Sequence, residues 1–453
     1  MSSERRRGRL PQGPRQPAAV QTARWIASPL TLLDDCQRRY GDLFTLRLIG
    51  IGEVVFVSAP SAIKTIFLGD PEVLHAGAGN ALLRPVLGSS SVLLLDGSAH
   101  LRQRRLLLPP FHGERMQAYA EVMQKVTRTQ MARWPVGHPF ALAPETRAIT
   151  LEVILRTVFG IEEAAQLGHL SQLLARLLDL LSQPVTLVPA LLGWDLFRHL
   201  PRAPASRIKR EVDRLLYTEI ARRRSAPRGT DVLSMLLDAR DEDGKALSDQ
   251  ELRDELMTLL TAGHETTATA LAWTFERILH ERAVRVRVEE ELSAQPDGGD
   301  YLDAVIKESL RVRPIIPIVA RQLKRDLVLD RFTLPEGVRV APCIYLTHKR
   351  ADVYPEPERF RPERFLGKKP DPYAWLPFGG GIRRCLGMAF ALFEMKLVLS
   401  TVLSHAELRL PAGAPARMVR RGITLSPSGG TRVILVKRRD PALCPAQAAP
   451  PAA

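Results

Sequence analysis

The sequence predicts a mainly α-helical protein with a smaller β-rich portion, an α+β fold. Between about residues 98 and 410, apolar residues recur at the spacing of amphipathic helices, most clearly over 116–134, 146–159, 167–181 and 207–224. The alternation in FTLRLIGIGEVVFV predicts a two-stranded hairpin within 40–57, and a helix is expected after Pro60. Strand-like patterns return at 321–329, 338–345 and 422–436.

The composition is typical of a globular chain. Of the 453 residues, 45% are hydrophobic and 25% are charged, which suffices to bury a sizeable core. No long Gly/Ser-rich or Pro-rich linker divides the sequence, so we expect a single domain over 21–440. Residues 1–20 and the Ala/Pro-rich residues 441–453 are predicted to be disordered extensions.

Charge and cysteine usage limit the partners and the compartment. Lysine and arginine number 64 against 49 acidic residues, a formal net charge of +15 that favours acidic partners. Because no zinc-finger, RNP-type or helix-turn-helix pattern accompanies this charge, we expect an acidic protein partner and no nucleic acid. The four cysteines lie far apart, as expected in a reducing cytoplasm. We find no signal peptide and no run of about 20 apolar residues, so no transmembrane segment is predicted.

The most informative stretch is FGGGIRRCLG, residues 378–387, which runs directly into an amphipathic helical pattern. Cys385 would therefore lie in a glycine-rich loop at a helix entrance. Backbone N–H groups and the helix dipole stabilise a thiolate there, which is the form that binds a metal. The glycines would let the backbone pass close to a flat cofactor. A lone cysteine is more often a buried apolar residue, but these surroundings favour a ligand.

Two helical segments carry further patterns. Glu308 and Arg311 are three residues apart in YLDAVIKESLRVRP and share a helix face, which is in itself a common surface pair. The sequence AGHETT, 262–267, lies within a long helical pattern over about 248–291, although Gly263 and paired threonines disfavour a helix interior. Thr266 can bond a carbonyl one turn back and open the helix for a ligand. The alternative is an interface where small residues let two helices approach.

Phe378, Gly381, Arg383, Cys385 and Gly387 resemble the haem-binding signature of the cytochrome P450 family. The matching motifs occur in the family's order and cover about 40–436. The resemblance implies the cytochrome P450 fold and a haem b cofactor, iron protoporphyrin IX. It also implies that Cys385 is the axial thiolate ligand, which pushes electron density onto the iron and favours O–O cleavage.

The resemblance gives the helical patterns specific roles. Arg364, in RPERF, resembles the arginine that joins Glu308 and Arg311 in a buried structural network bracing the cysteine loop. Glu265 and Thr266 would be the catalytic residues that manage protons for a bound dioxygen.

Other residues would contact the haem itself. Its two propionates need cationic partners, and His100 and Arg104, spaced i, i+4 in one helix, resemble the family's propionate-binding segment. Many relatives have tryptophan at the position of His100. Like tryptophan, a histidine at this position supplies a hydrogen-bond donor. Further propionate partners would be Arg383 and Arg321. The remaining cofactor-binding positions are Ala262, Phe378, Gly379 and Gly387.

The implied activity is a haem-dependent monooxygenase that inserts one atom of O2 into a C–H or C=C bond. Because the chain has no flavin, nicotinamide or iron–sulfur fingerprint, its electrons should come from a separate ferredoxin or flavodoxin with its reductase. Arg384 and its basic neighbours could dock such an acidic carrier. Segments 73–95, 167–200 and 314–319 resemble the family's variable pocket regions, and their apolar character suggests a small, lipid- or terpenoid-like substrate.

Two other readings remain open at the level of sequence. A peroxide-driven or isomerising haem-thiolate enzyme can dispense with an acid and an alcohol in the central helix, so the Glu265–Thr266 pair favours dioxygen chemistry. A non-catalytic haem sensor or carrier would need an output module, and none is visible in the sequence.

Overall fold

The computed structural model describes residues 10–439 except 112–114, 161–163, 182–202, 228 and 414. Helices account for most of it. In chain order they are α1 Ala18–Ala27, α2 Pro29–Tyr40, α3 Pro60–Leu68, α4 Ala76–Gly79, α5 Arg84–Leu87, α6 Gly97–Leu107, α7 Arg115–Ala118, α8 Ala120–Met131, α9 Leu142–Phe159, α10 Ala164–Leu181, α11 Pro204–Arg224, α12 Val232–Asp238, α13 Asp249–His280, α14 Arg282–Ala294, α15 Asp300–Val312, α16 Ile344–His348 and α17 Met388–His405.

The strands form small sheets at the edges of the helical body. They are β1 Leu43–Leu48, β2 Gly52–Val57, β3 Leu74–His75, β4 Pro139–Ala141, β5 Arg321–Leu323, β6 Leu327–Leu329, β7 Phe332–Leu334, β8 Arg339–Pro342, β9 Ala406–Arg409, β10 Met418–Arg421, β11 Thr424–Pro427 and β12 Arg432–Arg438. The largest sheet has the order β1-β2-β8-β5-β3, with β2 and β8 parallel. A second sheet has the order β4-β12-β9, and β6–β7 and β10–β11 are hairpins. The predicted α+β architecture is confirmed.

The predicted elements agree with the structure in type but differ at several boundaries; the helix predicted over 116–134, for example, is α7 and α8 and ends at Met131. The hairpin is β1 and β2, which pair antiparallel from Leu43 opposite Val57 to Leu48 opposite Gly52. The strand predicted over 338–345 ends at Pro342 because its parallel partner β2 ends at Val57, and the chain then turns into α16. The helix predicted over 248–291 is two helices, since Glu281 adopts an extended backbone between α13 and α14.

Part of the expected N-terminal extension packs against the first sheet. The Thr45 N–H donates to the Gln12 carbonyl over 3.1 Å, and the Thr45 hydroxyl donates to the Pro11 carbonyl over 2.7 Å. The buried Gln21 side chain on α1 donates to the carbonyls of Pro14 and Gln16. Residues 10–20 are therefore not a free extension, because their carbonyls accept hydrogen bonds from β1 and α1. Residues 1–9 and the tail 441–453 lie outside the described residues.

The long helix α13 crosses the centre of the molecule. It begins with a capping box, in which Ser248 and Glu251 each accept a hydrogen bond from the other's backbone N–H, and it packs against α9, α15 and α17. Trp273 is fully buried, and its indole N–H donates to the Leu425 carbonyl of β11 over 3.2 Å. This packing fixes the middle of α13, where the AGHETT sequence lies.

One helix among the described residues, α17, is long and apolar enough to cross a membrane by length and composition. Just over half of its window, 56%, is buried inside the protein. It packs against α8, α13 and α15 and includes the buried Glu394. The apolar character of α17 is therefore accounted for by its place in the core.

Gly263 lets α9 approach α13. A Cβ at this position would lie 2.5 Å from the Ile154 Cδ1 atom, whereas a Cβ at Gly168 of α10 would meet no atom within 4 Å. Only the flexible end of the Ile154 side chain must move, so we expect G263A to gain clearly less than the about 1 kcal/mol that helix propensity offers, because the displacement of Ile154 offsets it. In an I154V background, which lacks Cδ1, G263A should gain the full helix-propensity difference of about 1 kcal/mol. Unfolding of the haem-loaded variants by circular dichroism measures both effects.

Gly168→Ala is the matched control, because this helical glycine has open space and should gain about 0.5–1 kcal/mol in any background. Equal stabilisation by G263A and G168A in the wild-type background would contradict the close-packing role of Gly263.

Candidate functional site

Cys385 lies where the chain turns from the cysteine loop, residues 378–387, into α17. Its N–H donates to the Phe378 carbonyl over 2.9 Å, which closes the loop three residues before the helix begins. The side chain is accessible to solvent, while the protein that packs around it raises the pKa of the thiol. The Gly387 N–H and the charges of Arg104 and Arg384 act in the opposite direction and favour the thiolate.

The glycines of this loop serve two purposes. A Cβ at Gly380 would lie 2.2 Å from the Phe67 ring, and one at Gly381 would lie 2.1 Å from the Phe67 carbonyl, so these two make room for α3. At Gly379 and Gly387 a Cβ would meet no atom within 4 Å, and Gly379 has a φ of 66°. Only Gly379 and Gly387 thus have the open surroundings expected beside a flat cofactor. Sequence reasoning missed Phe67, which no local pattern distinguishes.

Arg104 and Arg383 connect the cysteine loop to neighbouring segments. Arg104 on α6 donates to the Arg384 carbonyl over 2.7 Å. Arg383 donates to the Leu95 carbonyl and to Asp96 Oδ1, both over 2.6 Å. Asp96 also accepts from the N–H groups at the start of α4 and was not singled out from the sequence.

His100 and Arg321 are buried and lie with the partly buried Arg104 and Arg383 around Asp96, and these four residues form the cationic cluster. Burial and the charge of Arg383 lower the pKa of Arg321 to about 10, and burial lowers the pKa of Arg383 to about 10 against the opposing charge of Asp96. His100 is kept neutral, since burial and the nearby arginines lower its pKa to about 4. Among the described residues, its Nδ1 has no hydrogen-bond partner.

This charge distribution tests whether the site suits the implied cofactor. Three arginines face one carboxylate, so anions that bind beside them would relieve their mutual repulsion. Two propionates supply that charge, and a buried donor such as His100 can bond to one of them. With Cys385 at the helix entrance, the residues present fit a haem.

Glu308, Arg311 and Arg364 meet in a second cluster. Arg311 holds Glu308 bidentately, with Nε–Oε2 and Nη2–Oε1 distances of 2.7 and 2.8 Å, and both side chains are fully buried. Arg364 Nε donates to Glu308 Oε1 over 3.3 Å, and the Arg361 N–H donates to the same oxygen over 2.8 Å. The pair is thus part of the interior and not a solvated surface pair. Sequence reasoning missed the adjoining His348, whose Nε2 accepts the N–H of Leu376.

The middle of α13 has two different faces. Ala262 is exposed although the helix lies in the core, and the Thr266 hydroxyl donates to its carbonyl over 2.7 Å. The helix continues unbroken through Thr266, so the expected local opening is not seen. On the other side, Gly263 faces Ile154 of α9, as in the alternative of a close helix interface. The two readings of AGHETT therefore describe different faces of one helix.

Glu265 lies between two arginines. Its Oε1 is 3.5 Å from Arg147 Nη1 and 3.8 Å from Arg421 Nε, and a fifth of its side chain is exposed. Burial raises the pKa of Glu265, and the two arginine charges partly oppose that rise. A carboxyl group in such surroundings exchanges protons more readily near neutral pH than an ordinary glutamate does.

Comparison with known proteins identifies this combination of fold and site. Residues 11–433 match the family model described as Cytochrome P450. The chain is 43% identical over 441 residues to a Mycobacterium tuberculosis protein named as cytochrome P450 135B1, with 95% of this chain and 92% of the relative covered. It is 40% identical over 400 residues to one named as cytochrome P450 137 from the same species, with coverage of 87% and 83%.

Solved structures agree with the sequence relatives. Retinoic acid bound cyanobacterial CYP120A1 superposes with a TM-score of 0.80 at 27% identity, over 92% of this chain and 96% of the other. The haem domain of cytochrome P450DA has the same fold, with a TM-score of 0.81 at 24% identity, over 96% of this chain and 99% of the other. Members of this family bind haem b through a cysteine thiolate. The chain belongs to the cytochrome P450 family and is a haem-thiolate monooxygenase.

Proposed function

We propose that Cys385 is the axial thiolate ligand, and that the enzyme inserts one oxygen atom into a C–H or C=C bond of a small hydrophobic substrate. The observation that carries the assignment is the position of Cys385 at the start of α17, beside the cationic cluster of Arg104, Arg321, Arg383 and His100. When bound, haem supplies the activation of dioxygen, with the thiolate favouring O–O cleavage. Cys36 and Cys343 are less suited to bind the iron, because both are buried and burial raises the pKa values of their thiols to about 11 and about 12.

The cationic cluster would bind the two haem propionates. Arg104 and Arg383 are tied to the cysteine loop and to segment 92–96, so the propionate partners and the thiolate are held in one rigid unit. Neutral His100 would donate one hydrogen bond, and Arg321 would add charge from β5. Phe378, Gly379, Gly387 and Ala262 would contact the haem faces.

Thr266 and Glu265 would deliver protons. The Thr266 hydroxyl bonds to the Ala262 carbonyl on the exposed face of α13, and a rotation about χ1 would let it serve a bound ligand instead. Glu265 is partly exposed beside Arg147 and Arg421, so it can take up protons from solvent and pass them inward. This acid–alcohol pair supports dioxygen chemistry over a peroxide-driven or isomerising reaction.

The substrate we propose is lipid- or terpenoid-like. Segments 73–95 and 314–319 lie next to β5 and to the cationic cluster, and Ile315 belongs to the hydrophobic core. Within the predicted pocket segment 167–200, residues 182–200 lie outside the described part of the chain. A structural relative at 27% identity binds retinoic acid, an apolar isoprenoid acid, which supports this substrate class.

The electron donor we propose is a ferredoxin or flavodoxin with its reductase, in the cytoplasm. Arg384 follows Arg383 directly in the cysteine loop and is half exposed, and the exposed Ile382 lies beside it. An acidic carrier bound at this surface would be close to the thiolate. The unpaired Cys36, Cys343 and Cys385 are consistent with a reducing compartment.

Replacing Cys385 with serine should abolish the thiolate-specific absorption of the reduced carbon monoxide complex, because an alcohol does not give a stable anionic ligand. Absorption spectroscopy of the reduced, CO-treated protein measures this. Cys36→Ala is the control, since Cys36 is buried and protonated, and it should keep the wild-type spectrum. Survival of the thiolate spectrum in C385S would refute the assignment.

Thr266→Ala should divert electrons from product to hydrogen peroxide, because the hydroxyl that serves the bound oxygen is lost. We expect product formed per reducing equivalent to fall about tenfold or more, with substrate binding retained. Thr267→Ala is matched in chemistry, but its hydroxyl is buried against the Gly263 carbonyl, so its coupling should stay near wild type. Unchanged coupling in T266A would favour a reaction that does not need dioxygen.

Reversing the charge of Arg384 with glutamate should slow reduction by an acidic carrier and weaken the salt dependence of the rate. Stopped-flow reduction at several ionic strengths measures both quantities. Arg214→Glu serves as control, since Arg214 is exposed on α11 and pairs with Glu211. If R384E and R214E behave alike, the carrier docks elsewhere.

A further inference from the structure

His348 connects the Glu308–Arg311 ion pair to the cysteine loop. It is the last residue of α16 and is fully buried. Its Nδ1 is 3.1 Å from the Arg311 carbonyl, and Arg311 Nη1 donates to the His348 carbonyl over 2.8 Å. On the other side of the ring, the N–H of Leu376 donates to Nε2 over 2.8 Å. The imidazole therefore bridges α15 and residues 376–378, which lead into the cysteine loop.

These contacts fix the tautomer of His348. Because a backbone N–H can only donate, Nε2 must carry no proton, and Nδ1–H must donate to the Arg311 carbonyl. Burial and the charge of Arg311 lower the pKa of His348 to about 3, so the ring is neutral. Both ring nitrogens are thus satisfied, each by a different segment of the chain.

Residues 376–378 connect His348 to Cys385 through backbone hydrogen bonds. The Leu376 carbonyl accepts the N–H of Gly379, and the Phe378 carbonyl accepts the N–H of Cys385, each over 2.9 Å. The indole of Trp375 adds a second attachment to α15 by donating to the Lys307 carbonyl over 3.1 Å. A shift at Leu376 would therefore move the acceptor that orients the Cys385 backbone.

We propose that His348 is a positioning residue for the haem thiolate: its neutral Nε2 holds the Leu376 N–H and so sets the approach of Cys385 to the iron. This inference rests on the proposed role of Cys385 as ligand. The Glu308–Arg311 pair alone cannot do this, because its hydrogen bonds reach the His348 and Arg359 carbonyls, the Arg361 N–H and the Arg364 side chain, and not the loop itself.

Two variants of similar size separate the two ring nitrogens. His348→Gln can place its Oε1 near the position of Nε2 and keep an acceptor for Leu376, whereas His348→Asn can keep a donor at the position of Nδ1 but loses that acceptor. We expect H348Q to retain the thiolate-type carbon monoxide spectrum. In H348N the ratio of thiolate-type to thiol-type absorption should fall about tenfold, the size expected when one buried N–H is left unsatisfied.

Equal spectra for wild type, H348Q and H348N would overturn the inference, and so would equal losses in the two variants, since filling the space would then be what matters. If H348N cannot be isolated with haem, hydrogen exchange of the Leu376 amide in the wild-type holoenzyme provides the test. Strong protection there, reduced no more than severalfold in H348Q, supports the inference, and rapid exchange in the wild type overturns it. Absence of any thiolate spectrum in the wild type would instead refute the role of Cys385.

Discussion

The buried excess of positive charge beside the cysteine loop is the constraint on which the site depends. Arg321 is buried and Arg383 is only slightly exposed, and Asp96 is the carboxylate that opposes them. Burial of guanidinium groups without matching anions is costly, and the depressed pKa values of both arginines express that cost. A cofactor that brings two carboxylates relieves it, so loading with haem and stability of this region are linked by the same charges.

The second cluster joins α15 to residues 361–364 through one buried carboxylate. Glu308 accepts hydrogen bonds from Arg311, Arg364 and the Arg361 backbone, so its charge is fully satisfied in the interior. Hydrophobic residues could fill the same volume but would not specify direction, whereas the hydrogen bonds from the Arg361 N–H and from Arg364 to Glu308 fix how residues 361–364 lie against α15. His348 extends this geometry by one further step to Leu376.

Patterns in the sequence predicted the elements that depend on local periodicity and the motifs that are long. The hairpin, α9 and α11 follow from apolar spacing, and Cys385 follows from its loop. Features that depend on a contact with a segment far away in the sequence could not be predicted from local patterns. The strand over 338–345 ends early because β2 ends, and His348 and Phe67 have their roles only through segments far away in the chain.

The AGHETT sequence shows why a structural and a functional reading of one motif need not compete. An α-helix presents neighbouring residues on different faces, so Gly263 can admit α9 while Ala262 and Thr266 lie on an accessible side. The close helix contact at Gly263 and the burial of Thr267 hold this turn in place without closing the opposite face. Tight packing on one side of α13 is therefore compatible with an open face on the other, and it holds that open face in a fixed position.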